Sequence, residues 1–264
     1  MDLGTILGLV VGLGMILGGD MIEGGKMSQI AQPTAAMIVI GGTIGATMIQ
    51  FPLATFVHAM KSIALVFRQP TNPAGKLIEE IVGYATTARK DGIVALETVA
   101  SNASDPFLKR ALMMAVDGAD STAMRDALEI AIGQVEEEGE DVAKVFEAAG
   151  GYAPTIGIIG AVLGLIQVMS HLSDIEKVGE GIATAFVATI YGVGFANIMC
   201  LPIAGKLKLR TREAVAIKQL MLEGSLAILE GMNPKLVRER LSALAPQEGN
   251  HEGGEGKQAM KAAA

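Results

Sequence analysis

Four long stretches of this 264-residue chain contain no Asp, Glu, Lys or Arg: 3–19, 27–57, 148–170 and 181–205. A helix at the surface of a water-soluble domain carries polar residues on its outer face, so four uncharged runs leave that class no way to hydrate them. A helix that crosses a bilayer, by contrast, needs about 20 mostly apolar residues. Mean hydropathy is +0.43, and half of the residues are hydrophobic. None of the runs alternates apolar and polar residues in the manner of a membrane barrel strand. The expected fold is therefore all-α, a polytopic membrane protein with four transmembrane helices at roughly 3–20, 33–55, 150–170 and 181–203 and a helical cytoplasmic domain.

Basic residues near the ends of membrane spans set orientation. The loop after the first span holds one, Lys26, and the loop after the third holds Lys177 beside His171, Asp174, Glu176 and Glu180. Behind the second span stand Lys61, Arg68 and Lys76, and behind the fourth Lys206, Lys208, Arg210 and Arg212. This bias predicts both termini and the central segment in the cytoplasm, with two short outer loops. Asp2, with no Lys or Arg ahead of the first run, argues against a signal peptide. The single cysteine, Cys200, lies inside a span and reads as apolar filling. The expected organisation is 1–57 for the first two spans, 58–147 for a cytoplasmic helical domain and 148–205 for the last two spans. Residues 206–245 then form cytoplasmic C-terminal helices, and 246–264 a disordered tail poor in apolar residues.

Outside the bilayer the pattern is a series of helices. Phe51-Pro52 marks the exit of the second span, and 70–73 reads as a turn. Leu77, Ile78, Ile81, Val82 and Ala85 recur at helical spacing, and Asp91-Gly92 separates them from a second helical segment at 93–100. Asp105-Pro106 has the order of a cap followed by a first-turn proline. Asp120 or Ser121 opens a helix running through Glu138, with Met124, Leu128, Ile132 and Val135 on one face. Residues 206–231 continue the fourth span into water, and Asn233-Pro234 caps a final helix at about 234–244. No nucleotide loop, zinc cluster or nucleophile motif occurs, so neither an enzyme nor a nucleic-acid binder is expected. These helices suit either a partner-binding protrusion or a scaffold for oligomer contacts.

Within the spans, Gly4, Gly8 and Gly12, Gly14 and Gly18, Gly41 and Gly45, and Gly160 and Gly164 fall four apart. Such spacing lets helix backbones approach closely, and for any one pair plain packing is the simplest role. Pro154 and Pro202 stand at opposite ends of the third and fourth spans, hence toward the same membrane face. Each removes a helix hydrogen bond; singly they are kinks, while as a pair at one depth they suit a deformable mouth. Thr155, Thr184, Thr189, Tyr191 and Asn197 are the polar residues of these spans, with hydroxyls that bond either their own backbone or a lumen. No Asp, Glu, Lys or Arg lies inside a span, although charges there mark ion relays. Either the chain conducts nothing, or another subunit supplies the carboxylate.

The segments Ala88-Arg89-Lys90-Asp91-Gly92-Ile93-Val94-Ala95-Leu96-Glu97 and Tyr152-Ala153-Pro154-Thr155-Ile156-Gly157-Ile158-Ile159-Gly160 carry a resemblance to the stator A-subunit family of the bacterial flagellar motor, the MotA/PomA proteins. Ala188-Thr189-Ile190-Tyr191-Gly192, Ala196-Asn197, Pro202 and Gly231-Met232-Asn233-Pro234 extend it in order over about residues 1–245. The resemblance implies a MotB/PomB-like single-span B subunit that brings an essential Asp, with five A subunits around two B helices. Ion passage would then drive the A subunits, and their cytoplasmic parts would push on the rotor switch protein FliG. Peptidoglycan would be reached only through the B subunit, in the bacterial inner membrane. On this resemblance Pro154, Ala161, Thr189 and Pro202 are the ion-pathway and coupling positions, and Arg89, Lys90 and Glu97 face the rotor. Without the resemblance, these three charges read as a solvated face.

No cofactor is implied beyond the transported ion. Relatives that resemble sodium-driven stators tend to carry Thr where this chain has Ala161, seven residues after Pro154. Lacking that hydroxyl, the chain is expected to move protons, with sodium as the alternative. The competing functions are an ExbB- or TolQ-like energising subunit of envelope transport, a self-contained channel, and a membrane scaffold. The complete second hairpin and the Arg89–Glu97 segment favour the motor.

Overall fold

The computed structural model describes residues 2–69 and 73–245, so the predicted turn at 70–73 (apart from Pro73) and the expected disordered tail lie outside the described residues. The fold is all-α, and four helices among the described residues are long and apolar enough to cross a membrane: Leu3–Ile22, Pro33–Gln50, Ser121–Ser170 and Ile175–Leu229. The chain divides into two compact units, Met1–Pro70 with Glu136–Thr211, and Thr71–Val135 with Arg212–Ala264.

In the first unit, α1 (Leu3–Ile22) starts at Asp2, whose carboxylate accepts from the Thr5 amide, and buries none of its residues within the protomer. Short helices α2 (Met27–Ile30) and α3 (Pro33–Ala36) lead through a π-helical turn, Met37–Gly41, into α4 (Gly42–Gln50). Phe51 is extended and Pro52 caps the next helix, α5 (Leu53–Val66). The second span therefore stops at Gln50, short of the expected residue 55, because proline cannot continue the hydrogen-bond ladder of the preceding turn.

The second unit is built on α6 (Ala74–Asp91), a 3₁₀ turn Ile93–Ala95, α7 (Leu96–Ala100) and α8 (Pro106–Val116). They pack with the first part of α9 (Ser121–Ser170), the last part of α11 (Leu201–Leu229) and α12 (Pro234–Leu244). Its core gathers Ile81, Leu96, Leu108, Leu112, Met124, Leu128, Leu226 and Leu241, each no more than 2% exposed. Asp105, Asp120 and Asn233 each accept from an amide in the first turn of the helix that follows. Such caps satisfy donors that have no partner inside the helix. Glu80 accepts from the Tyr84 hydroxyl and from both the amide and hydroxyl of Ser104, fixing the loop between α7 and α8. Burial, reinforced by Glu80, pushes the Tyr84 phenol up to about 12.

The sequence reading ends one helix near Glu138 and begins the third span near residue 150. The structure has a single 50-residue helix, α9, instead. Nothing in 139–149 stops it: the stretch is mostly Glu, Ala, Lys and Val, and Lys144 pairs with Glu140 and Asp141 on the adjoining turn. The lone Gly139 weakens a helix by only about 1 kcal/mol.

Candidate functional site

The third and fourth spans meet along a seam of small residues in the first unit. Ala153, Gly157, Gly160 and Gly164 of α9 are buried there with Gly181, Ala185, Ala188 and Gly192 of α10 (Ile175–Gly194). A Cβ placed on Gly192 would sit 2.6 Å from the Ala153 carbonyl oxygen and 3.0 Å from Gly157 Cα. One on Gly157 would sit 2.9 Å from the Ala188 carbonyl oxygen, and one on Gly164 2.9 Å from that of Gly181. The backbones touch, which is how helices associate where apolar burial offers no drive. The second span joins this pair through Ala35 and Val39, packed on Val187 and Ala188. Tyr191 pins its entry, donating to the Ile30 carbonyl at 2.7 Å and accepting from the Gln32 amide at 3.3 Å.

Pro154 is half-buried in the middle of α9, and Thr189 half-buried on α10. Pro154 belongs to the seam, its Cα 3.2 Å from the Gly192 Cβ position. Its missing N–H leaves the carbonyl of Gly150, one turn back, without the usual helix bond. Gly150 itself abuts the residue next to Pro202, since a Cβ there would come 2.7 Å from Leu201 Cδ2. The two prolines thus flank one crossing of the two helices. Ala161 is half-buried one residue beyond Gly160, whereas Pro202 is exposed in the first turn of α11. A π-helical turn, Phe195–Cys200, stands directly before it; the wider turn gives room for the ring, which crowds the carbonyl four residues back.

The hydroxyls of Thr155, Thr184 and Thr189 donate to the carbonyls of Tyr152, Glu180 and Ala185, and the Asn197 amide donates to Val193. Of the two roles open to these groups, the donors thus take the local one. Each threonine oxygen keeps its lone pairs, so an acceptor remains where a cation or water needs one.

Just past Pro202, at the end of the fourth span, the structure holds a charged knot that sequence reasoning missed. Lys206 Nζ donates to Asp2 Oδ2 at 2.5 Å and to Thr5 Oγ1 at 2.6 Å. Arg210 lies 3.5 Å from the same carboxylate oxygen and also donates to the Arg68 carbonyl, while the Asp2 amide donates to the Phe67 carbonyl. The Lys206 hydrogen bond, with help from the Thr5 amide, holds the Asp2 carboxyl down at about 2, so it is ionised throughout the neutral range. The available signal was Asp2 three residues before Thr5 at the head of an apolar run.

Arg89, Lys90 and Glu97 belong to the second unit and are all exposed. Arg89 and Lys90 occupy the last turn of α6, where their charge complements the helix dipole. Glu97 stands in the first turn of α7, past Gly92, whose φ of +87° reverses the chain. The three are therefore not on one continuous helix face. Among the described residues none of them forms an ion pair.

Among the described residues no group of His, Cys, Asp or Glu is arranged to hold a metal. The chain matches the MotA/TolQ/ExbB proton channel family over residues 77–219 and the motility protein A N-terminal model over residues 6–90. It belongs to the MotA/TolQ/ExbB family. The second match extends the likeness through the first two spans on the motility side of that family. Motility protein A of Bacillus subtilis is 34% identical over 251 residues, covering 93% of this chain and 92% of that protein. Chemotaxis protein PomA of Vibrio alginolyticus is 33% identical over 237 residues, covering 90% and 92%. The structure of C. jejuni MotAB superposes with a TM-score of 0.89 at 30% identity, over 96% of this chain and all of that one. The B. subtilis MotAB stator complex does so at 0.84 and 32%, over 98% of each. Members of this family are ion-conducting subunits, not enzymes.

Proposed function

We infer that this chain is the A subunit of a flagellar stator, which couples ion flow to torque together with a single-span, Asp-bearing B subunit of MotB type. One observation supports the reading: the four uncharged stretches 3–19, 27–57, 148–170 and 181–205 hold no Asp, Glu, Lys or Arg, so a pathway along them has acceptors but no carboxylate that binds and releases a proton. The partner's carboxylate supplies that group.

The complex sits in the bacterial inner membrane with both termini of this chain in the cytoplasm, in keeping with the basic residues behind the second and fourth spans. Five A subunits surround two B subunits. The ion is a proton. Ala161 has no hydroxyl to replace part of sodium's water shell, and Thr189 alone among the ion-pathway positions offers an oxygen. Pro154 and Pro202, on either side of one helix crossing, make the joint through which pathway events reach the cytoplasmic helices. Arg89, Lys90 and Glu97 meet the rotor protein FliG, and peptidoglycan is reached only through the B subunit.

The deciding experiment is the native mass of the complex withdrawn from its own membranes through a tag on this chain. Five copies with two single-span, Asp-bearing partners are expected; a homo-oligomer without such a partner, under conditions that keep weak complexes together, overturns the assignment. Charge at an interface chiefly steers and orients encounters. Glu97→Lys is accordingly expected to leave that mass unchanged while lowering torque at high load several-fold, and unchanged torque would remove Glu97 from the rotor face.

A further inference from the structure

A cavity of about 500 Å³ opens between α1 and the end of the fourth span, lined by Gly4, Gly8 and Gly12 on one side and by Asn197, Pro202 and Lys206 on the other. Nothing lies within 4 Å of the Cβ positions of Gly8 and Gly12, so these glycines face open space and not another helix of the protomer. Apolar walls without atoms opposite them forfeit dispersion contacts, and α1, which buries nothing in the protomer, adds lipid-facing surface beside the gap. At hydrocarbon depth the filler at hand is an acyl chain.

The cavity has one charged end. Among the described residues Lys206 is the only ionised side chain in its lining. An ammonium has three donors, and two of them are taken, by Asp2 and Thr5. Among the described residues the third has no partner. Asp2 also fixes the ammonium in place, so it cannot swing away toward the interface as a free lysine does. Arg210 and the backbone of Arg68 close the same corner. Basic pockets between transmembrane helices recognise the head groups of anionic lipids.

We propose that this cavity is a binding site for one anionic glycerophospholipid, its acyl chain along Gly8 and Gly12 and its phosphate accepting from Lys206. The site depends on the chain spanning a membrane and is independent of ion coupling. A bilayer lipid wedged there seals α1 to the helix that carries Pro202, so the outer span is held by lipid as well as by the Asp2 knot.

The test uses the complex withdrawn from its own membranes through a tag on this chain, placed in nanodiscs doped with phosphatidylglycerol or phosphatidylcholine bearing the same photoreactive acyl chain. Crosslinked peptides are read by mass spectrometry. Labelling is expected on the peptides that contain Gly8 and 197–206, about fivefold stronger with phosphatidylglycerol, the preference one basic residue confers near a membrane surface. Lys206→Gln is expected to remove that preference, and Gly8→Leu, which points into open space, to remove the labelling while the complex keeps its mass. Equal labelling by the two lipids, a preference that survives Lys206→Gln, or no labelling of these peptides because a neighbouring copy fills the gap would each overturn the proposal. If Gly8→Leu fails to assemble, the two-lipid comparison and Lys206→Gln decide alone. Because lipid labelling is read without ion flow or torque, a failed stator assignment leaves its outcome legible.

Discussion

Gly192→Ala is expected to cost several kilocalories per mole of folding stability, although it adds one methyl group, and Gly194→Ala, two residues along the same helix, next to nothing. The added carbon at 192 would lie 2.6 Å from the Ala153 carbonyl oxygen and 3.0 Å from Gly157 Cα. Both obstacles are backbone atoms, so no side chain can rotate away, and the two helices must part. Overpacking a well-filled site typically costs about 1–3 kcal/mol even where side chains can adjust. Parting the seam also loosens the contacts of Gly157, Gly160 and Gly164, whose Cβ positions are equally crowded. At Gly194 nothing lies within 4 Å, and alanine there gains about 0.5–1 kcal/mol of helix preference over glycine. Unfolding of the purified chain in detergent, followed by circular dichroism, gives the comparison directly. Equal behaviour of the two variants would mean that the seam is not close-packed.

The uncharged runs made the four membrane helices legible, and the caps Asp105, Asp120 and Asn233 fell where Asx-type residues precede apolar periods. What escaped the sequence lies mostly where local rules are silent. Helix α9 runs through a point at which composition shifts from charged to apolar, and such a shift marks a change of surroundings, not a helix end. The π-helical turns Met37–Gly41 and Phe195–Cys200 have no residue signature of their own; the second is intelligible only beside Pro202. The spacing of Gly160 and Gly164 showed that something approaches closely, but not that Gly157 joins them or that Gly181, Ala185, Ala188 and Gly192 are what approaches. Asp2 gave a helix start and nothing of Lys206, 204 residues away. The break between Arg89 and Glu97 was legible: Asp91-Gly92 reads as a helix–helix turn, and the positive φ of Gly92 ends the helix there.

Pro154→Ala is expected to leave the stator assembled, to stabilise its helix, and to remove most of its torque. Proline in a helix interior is disfavoured against alanine by about 3 kcal/mol, through the missing amide and the clash of its ring. Alanine would restore the bond to the Gly150 carbonyl at the place where Gly150 packs on Leu201, and so stiffen the crossing beside Pro202. Part of that gain is already offset in the native protein, because the ring lies in a seam shaped around it by Gly192. Pro154 stands inside a helix that runs unbroken for 50 residues, and on the proposed coupling role it allows a bend that alanine would not. If packing were its role, the variant would lose complex and torque in proportion. The measurement is therefore a ratio: torque per motor from tethered cells against the amount of complex recovered from the same membranes. A fall in torque with undiminished complex supports the joint, and a parallel fall in both returns Pro154 to the packing of the seam.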